Sequence, residues 1–332
     1  MAWIDADDFA LDLPRVYREP LLFERVRGKL EGRWADDVLV LEDGVLDVRR
    51  TQHTAKVLFG IDIPLTTDAA AGTPLAMYLD VGVPQAQVDI RADYLPYTMN
   101  SNLYRWLETA LPVGTVEDVG FIWRGGFSQF GQGDQSLQLG LSLRNAEVRF
   151  QSDWPSAEAV DAQLLVDTQR VSVWSERARI DAMAVNQLAL EVDAAAEHGD
   201  LNTQIALTGG VSAVLDLLRN SPIEGQSPGL LNDLTGLGAL QGDVSIGLNV
   251  RDLNAPPVIH VQTALQDASL HSAQLQLSID ELHGDLAYHS EQGFTGTDLT
   301  GTLYGQPVQI NIQPGASALA DAAVFDGYFS VP

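Results

Sequence analysis

The sequence contains no cysteine in its 332 residues. Disulfides, thiol nucleophiles and thiolate metal sites are therefore excluded, although the compartment is not, since oxidising and reducing spaces both tolerate such chains. Positive charge is scarce. There are 19 basic against 45 acidic residues, a formal net charge of −26, and only two lysines, Lys29 and Lys56. Nucleic-acid binders need a basic footprint, so that class is excluded, and docking flat on an anionic bilayer is disfavoured on the same ground. Long apolar runs are also missing. A spanning helix needs about 20 apolar residues in a row, and no window approaches that. The first twenty residues are acidic and interrupted by Pro14 and Pro20, unlike a secretory signal. With Met1 as the native start the simple reading is cytoplasmic. The strand-like opening and the bare end at Val331-Pro332 favour instead a piece of a longer protein, whose address lies elsewhere.

What is present is enough to fold: 45% apolar and 19% charged residues, with a length that suggests about two domains. The dominant pattern is period-two alternation, the mark of half-buried strands. It runs through Leu75, Met77, Leu79, Val81 and Val83, through Leu137, Leu139, Leu141 and Leu143, and through Val148 and Phe150. It continues in Val160, Ala162, Leu164 and Val166, then Leu188, Leu190, Val192 and Ala194. It returns in Val244, Ile246, Leu248 and Val250, in Ile259, Val261, Thr263 and Leu265, in Leu275, Leu277 and Ile279, and in Val308, Ile310 and Ile312. Alternate side chains of a strand point to opposite faces, so each segment has one apolar and one polar face.

Turn chemistry divides the runs. Glu42-Asp43-Gly44 reads as a hairpin turn, and Arg144-Asn145-Ala146, His198-Gly199-Asp200, Gln292-Gly293 and Tyr304-Gly305-Gln306 separate further runs. The spacing predicts roughly twenty strands in antiparallel meander order. Helical patterns are few. Asn100 or Ser101 can cap a helix carrying Leu103, Trp106, Leu107 and Leu111, stopped by Pro112. Val211, Val214, Leu215 and Leu218 form a second, ended by Ser221-Pro222, and Leu230, Leu231 and Leu234 a short third. The expected order is β-rich blocks at 1–98, 115–208 and 240–332, separated by a short helix at 99–114 and a helical excursion at 209–239. So few helices cannot cover so much sheet. A sandwich, a closed barrel or a long curved sheet folded into a trough remain open. The last leaves an apolar face exposed, the usual mark of a ligand or partner surface.

Catalytic motifs are absent or incomplete. The Gly-rich stretch from Gly125 to Gly133 lacks the Gly-Lys-Ser/Thr ending of a phosphate loop and the spacing of a nucleophile elbow. The six histidines show no zinc-helix spacing; His283 and His289 flank one expected strand without further ligands. Asp5, Asp7 and Asp8 resemble the start of a calcium loop, but Ala10 and Val16 stand where Gly and Glu are required. The tryptophans at 3, 34, 106, 123, 154 and 174 are expected as core or edge packing. No catalytic residue, metal site or cofactor is assigned. The abundant carboxylates alone keep a carbohydrate-active enzyme as a distant alternative.

Four stretches carry a resemblance. They are Ala92-Asp93-Tyr94-Leu95-Pro96 followed by Leu103, Trp106-Leu107, Ala110-Leu111 and Gly114; the strand-rich run closing with Trp154-Pro155; Leu218-Arg219-Asn220-Ser221-Pro222; and the tail Asp298 to Val308. In this order the chain resembles the AsmA-like proteins of Gram-negative envelopes, specifically their YhdP branch, over a middle section of such a protein. It departs from the family pattern at Phe127-Ser128-Gln129-Phe130, where a Phe-Pro-Phe-like stretch is usual. The resemblance implies a non-enzymatic segment of a conduit that carries phospholipid between inner and outer membranes. The implied fold is mostly β, a long, twisted antiparallel sheet folded into an open apolar groove, with two or three short helices. It implies a periplasmic location, with an inner-membrane anchor in the rest of the longer chain. The groove lining is then expected to be Leu79, Val81, Leu137, Leu139, Leu141, Leu143, Val148, Phe150, Leu164, Val166, Leu188, Leu190, Val244, Ile246, Leu248, Val261, Leu275, Leu277, Val308 and Ile310. The competing expectation is an envelope scaffold whose alternating strands form a dry sandwich.

Overall fold

A computed structural model describes residues 1–14, 16–35, 37–64, 76–126, 135–152, 154–193, 200–220, 230–249, 257–313 and 326–327. The chain forms two compact units: Met1–Ala146 with Gln163–Val171, and Glu147–Ala162 with Ser172–Pro332. The helical stretches expected at 99–114 and 209–239 fall inside the units, one in each.

Among the described residues there are seventeen strands. They are β1 (Ala2–Leu11), β2 (Leu21–Ala35), β3 (Val38–Arg49), β4 (Thr54–Pro64), β5 (Ala76–Gln87), β6 (Val113–Gly126), β7 (Ser136–Val148), β8 (Ala157–Asp167) and β9 (Arg170–Ile180). There follow β10 (Met183–Asp193), β11 (Asp200–Gly210), β12 (Leu234–Asn249), β13 (Val258–Ser272), β14 (Leu277–His289), β15 (Gly293–Leu303), β16 (Gln306–Gln313) and β17 (Asp326–Gly327). In the first unit β1 to β6 pair in sequence order, all antiparallel. In the second, β10 to β17 do the same. The sheet does not close into a barrel. The fold is thus mostly β with short helices, as the alternation implied, and consistent with a β-groove.

Neither the hairpin turn expected at Glu42-Asp43-Gly44 nor the break expected at Arg144-Asn145-Ala146 interrupts its strand. The strand β3 runs unbroken through Glu42-Asp43-Gly44, and β7 runs unbroken through Arg144-Asn145-Ala146. Asp43 and Asn145 take left-handed φ of 49° and 46°, and against β4 the register slips between Leu41 and Gly44. An Asp or Asn that tolerates left-handed backbone serves a bulge as well as a tight turn, and here the long strand wins. In the second unit Asp267, Glu281 and Asp298 repeat the device in consecutive strands, at register slips in β13, β14 and β15. Tyr304-Gly305 is a true turn: both residues have positive φ, and Leu303 pairs with Gln306, which is type I′ geometry. The expected turn at 198–199 and the stop at 221–222 lie outside the described residues.

The helices are α1 (Arg91–Tyr94), preceded by a 3-10 turn at Val88–Ile90, and α2 (Ser101–Ala110), α3 (Val211–Arg219) and α4 (Leu230–Asp233). The Asn100 side chain caps α2, accepting the backbone N–H groups of Asn102 at 2.9 Å and Leu103 at 3.2 Å. Pro112 follows its end. The pair formed by the 3-10 turn and α1 was not expected; it has too few residues to show a helical period.

Candidate functional site

In antiparallel sheets directly opposed residues share a face, so the registers assemble the faces row by row. In the second unit one row reads Leu188, Ile205, Val244, Val261, Tyr288 and Phe294 across β10 to β15. Its neighbour reads Leu190, Thr203, Ile246 and Ile259, and the next Val192, Leu201 and Leu248. On the other side lie Leu207, Gly242, Thr263, Leu286, Gly296 and Ile312. The rings of Tyr288 and Phe294 meet with centroids 4.8 Å apart. The reverse face is polar: Asp243 stands beside Gln262 and Ala287, and Ser245 beside His260 and His289.

One end of this apolar face is covered. Val211, Ala213 and Leu215 of α3 join Met183, Leu240, Leu265, Leu282, Leu299 and Ile310 in a buried cluster. At the bulge above it Gly238 has φ +103°, and a Cβ there would meet the Ala268 backbone at 2.5 Å, so only glycine serves. Among the described residues of the second unit, α3 and α4 are the helices that pack on its sheet. The rows from Leu188 to Leu248 lie beyond that cluster, half-buried apart from Thr203, which is buried. Water is thus expelled at one end of the face and only thinned along the rest.

The first unit repeats the two-faced plan. Leu46, Val57, Val81 and Phe121 form one apolar row, and Phe59, Leu79 and Trp123 the next, beginning at Gly44. The Phe59 ring lies over Gly44, 2.4 Å from where a Cβ would stand. The polar face carries an alternating ladder of Asp5, Arg27, Asp47 and Lys56 on four adjacent strands. Arg25 and Arg27 reach Asp5 at 2.8 and 3.2 Å, and the hydrogen bond from Arg25 holds the Asp5 carboxyl below its usual range.

This unit's covered end sets polar and aromatic groups beside two buried aliphatic ones, Val88 of the 3-10 turn and Ala110 of α2. Arg91 donates to the carbonyls of Leu107, Glu108 and Val88 at 2.7, 2.7 and 2.9 Å, tying α1 to the end of α2. His53, 8% exposed, meets the Tyr94 hydroxyl at 2.8 Å. Arg50 stacks over Tyr94 and Phe23 and pairs with Asp93 at 3.0 Å. Burial lowers the His53 pKa and the Arg50 charge adds to it, while burial raises Tyr17 and Tyr94.

The expected lining residues fall into distinct places. Leu79 and Val81 stand half-buried on the apolar face of the first unit. Leu137, Leu139, Leu141 and Leu143 share one side of β7, with Leu143 buried, and Leu164 and Val166 are half-buried in β8. Leu188, Leu190, Val244, Ile246, Leu248 and Val261 come together in the open rows of the second unit. Val308 and Ile310 sit in the buried cluster, with Leu277 packed against it. Val148 ends β7, and Phe150, expected to continue that strand, lies past it, 40% exposed, with its ring 6.3 Å from Trp154. Leu275, expected in a strand, is instead in the turn between β13 and β14, 59% exposed. Ser272 and Asp233 hold that turn through the N–H groups of Leu275 and Gln274, and the Ser272 hydroxyl bonded to Asp233 keeps that carboxyl's pKa low. Overlooked in the sequence were Phe59, Phe121, Trp123, Ile205, Tyr288 and Phe294. Phe121 and Trp123 do alternate, and that was the available signal.

The groups with shifted pKa are each explained by local pairing or burial. His283 pairs with Asp267 at 2.9 Å and His289 stands beside His260, so the two histidines weighed together do not converge. Among the described residues no three His, Asp or Glu side chains gather as metal ligands. The stretch at 127–133 lies outside the described residues. What remains as a site is the apolar face itself.

The model of one protein family, described as YhdP protein, matches residues 2–327. The chain belongs to the YhdP family. No curated protein and no solved structure matches it. Membership accords with the residues that carried the resemblance and with an envelope protein, and is consistent with lipid transport there. Among the described residues no helix is long and apolar enough to cross a membrane.

Proposed function

We propose that this YhdP-family chain is a non-enzymatic segment of a phospholipid conduit, working in the periplasm as part of a longer, membrane-anchored protein. One observation carries the reading: the rows from Leu188 to Phe294 and from Val192 to Leu248 form an apolar surface several strands wide that, among the described residues, α3 covers at one end. An acyl chain leaving a bilayer exposes methylenes at about 0.8 kcal/mol each. A half-buried aliphatic surface removes much of that cost, and its lack of fixed polar partners suits passage rather than tight capture. The YhdP family supports the direction of the reading.

The test uses the chain purified without harsh detergent and carrying a photo-crosslinking residue at Ile246 or Leu248, with Ser245 on the reverse face as control. Phospholipid in native mass spectra and crosslinks from the two apolar positions, but not from Ser245, are expected. No co-purifying lipid and no lipid adduct at Ile246 or Leu248 would overturn it.

A further inference from the structure

The turn between β3 and β4 carries two buried polar atoms that the fold does not use. Arg50 and His53 close this turn, the Arg50 backbone N–H donating to the His53 carbonyl at 2.9 Å, and both side chains come to Tyr94. The Arg50 guanidinium stacks over the Tyr94 and Phe23 rings at 5.4 and 5.7 Å and gives Nη2 to Asp93 at 3.0 Å. Its other terminal nitrogen, Nη1, is buried without a hydrogen-bond partner among the described residues, and so is Nδ1 of His53. A buried polar group left unpaired loses its hydration for nothing, and the loss is greater when it is charged. Folded proteins keep few such groups, and a bound acceptor or donor is one reason to keep them.

The hydrogen bonds around Tyr94 fix what the second atom is. Arg50 also donates to the Tyr94 hydroxyl, which therefore turns its own proton to its other neighbour, Nε2 of His53, 2.8 Å away. Burial raises the Tyr94 pKa and lowers that of His53, so the tyrosine keeps its proton and the imidazole stays neutral. A neutral imidazole that accepts at Nε2 carries its hydrogen at Nδ1. Both unused atoms are thus N–H donors, and the group that completes them is an acceptor.

A cavity of about 470 Å³ adjoins the turn, lined by Arg50, Thr51, Gln52, His53, Thr54 and Gln85 among others. Each of these side chains can donate a hydrogen bond, and no Asp or Glu lines the cavity, in a chain with 45 acidic residues. Net charge does not choose the ligand. Asp93 faces Arg50, and Glu24 faces Arg49 at 3.6 Å and Thr51 at 2.9 Å, so both arginines are already balanced. That balance disfavours a dianion, whereas a monoanion with several oxygens can take the unused donors, and a phosphate diester has that form. We infer that the β3–β4 turn binds a phosphodiester monoanion, with Nη1 of Arg50 and Nδ1 of His53 as its buried donors. The exposed Thr51 and Gln52 are the part of the wall that gives way to admit it. The diester comes either from a phospholipid headgroup or from a free glycerophosphodiester. The first source rests on the conduit reading, since it needs acyl chains on the unit's apolar rows; the site itself does not.

The test titrates the whole chain, isotope-labelled at histidine, with glycerophosphoethanolamine, which has the headgroup and no acyl chain, and with dihexanoylphosphatidylethanolamine kept monomeric. Glycerophosphoethanolamine should bind saturably and shift the His53 Nδ1 resonance of the unmodified chain, a readout that no variant's folding can spoil. Arg50→Lys keeps the charge and loses the planar fork, and His53→Phe removes both ring nitrogens; each should weaken binding about tenfold or more. Lys56→Gln, outside the cavity, should leave it unchanged. Tighter binding of the short-chain lipid would favour the headgroup as the source. Equal binding of the two would keep the site and count against acyl chains on the apolar rows. No binding of either, saturable binding that leaves the His53 resonance in place, or unchanged binding in both variants would each overturn the inference.

Discussion

The two units build the same two-faced sheet and seal it differently. In the second, the covered end is aliphatic: Val211, Ala213 and Leu215 of α3 close over Leu240, Leu265 and Leu282. In the first, charge and rings join the buried aliphatic Val88 and Ala110: Arg50 between Phe23 and Tyr94, His53 on Tyr94, and Arg91 on three carbonyls. Their charges differ as well. The first unit holds 14 basic and 22 acidic residues, a net of −8, and the second 5 and 23, a net of −18. The apolar face is thus the common requirement, while the cover and the reverse face are free to follow other needs.

The largest expected effect breaks the aliphatic closure. Leu215 is 7% exposed within the cluster under α3. Leu215→Ala should cost about 2–5 kcal/mol, the transfer term plus the cavity. Hydrogen exchange should show it as lost protection in α3, β11 and β12. Val244→Ala, on the open rows, should cost distinctly less, because a half-buried site can relax and leaves no enclosed cavity. If both variants cost the same, the open rows are as tightly packed as the covered end and the distinction fails.

How far the sequence foretold this depends on what a period can encode. Alternation in Val244, Ile246 and Leu248 gave the strand and the shared face, because side-chain direction is local. It could not say that Val308 and Ile310 would be covered while Leu248 would not, since burial depends on where α3 lands. Nor does a period mark its own limits. Leu275 keeps step with Leu277 and Ile279, yet the strand begins only at Leu277. Asp43 and Asn145 looked like turns because a bulge asks the same backbone of them. The exposed Trp3, Leu58 and Tyr78 were hidden for a plainer reason: they lie on the face that alternation assigns to solvent.

A smaller effect separates the two closures by pH. His53 has its pKa lowered from 6.5 by burial and by Arg50, with Asp93 opposing. The unfolded chain therefore takes up a proton near pH 6.5 before the folded one does. The stability that neutral His53 allows is complete above that value and is lost as pH falls toward the lowered one, with a slope of at most about 1.4 kcal/mol per pH unit. Hydrogen exchange between pH 7.5 and 5 should show the junction of β3 with β4, together with α1, losing protection first, while α3, closed by aliphatic side chains, keeps its own. His53→Gln should flatten the response. A pH response in α3 equal to that in α1 would remove the contrast.

The smallest effect tests the difference in charge. In the first unit the ladder of Asp5, Arg27, Asp47 and Lys56 opposes unlike charges across four strands, with exposed ion pairs worth at most about 1 kcal/mol each. In the second unit 23 acidic residues meet five basic ones, so attraction is rare and like-charge repulsion dominates. Salt screens both, with a Debye length near 10 Å at 0.1 M, and so acts with opposite sign on the two. Raising sodium chloride from about 10 to about 150 mM should increase protection in β12 and β13, where repulsion is relieved. Protection in β1 and β2 should fall slightly, where Arg25 and Arg27 hold Asp5. Arg27→Gln should erase the salt response of β1 and leave that of β12 unchanged. A rise of equal size in β1 and β12 would mean that net charge alone sets the response and that the ladder contributes nothing.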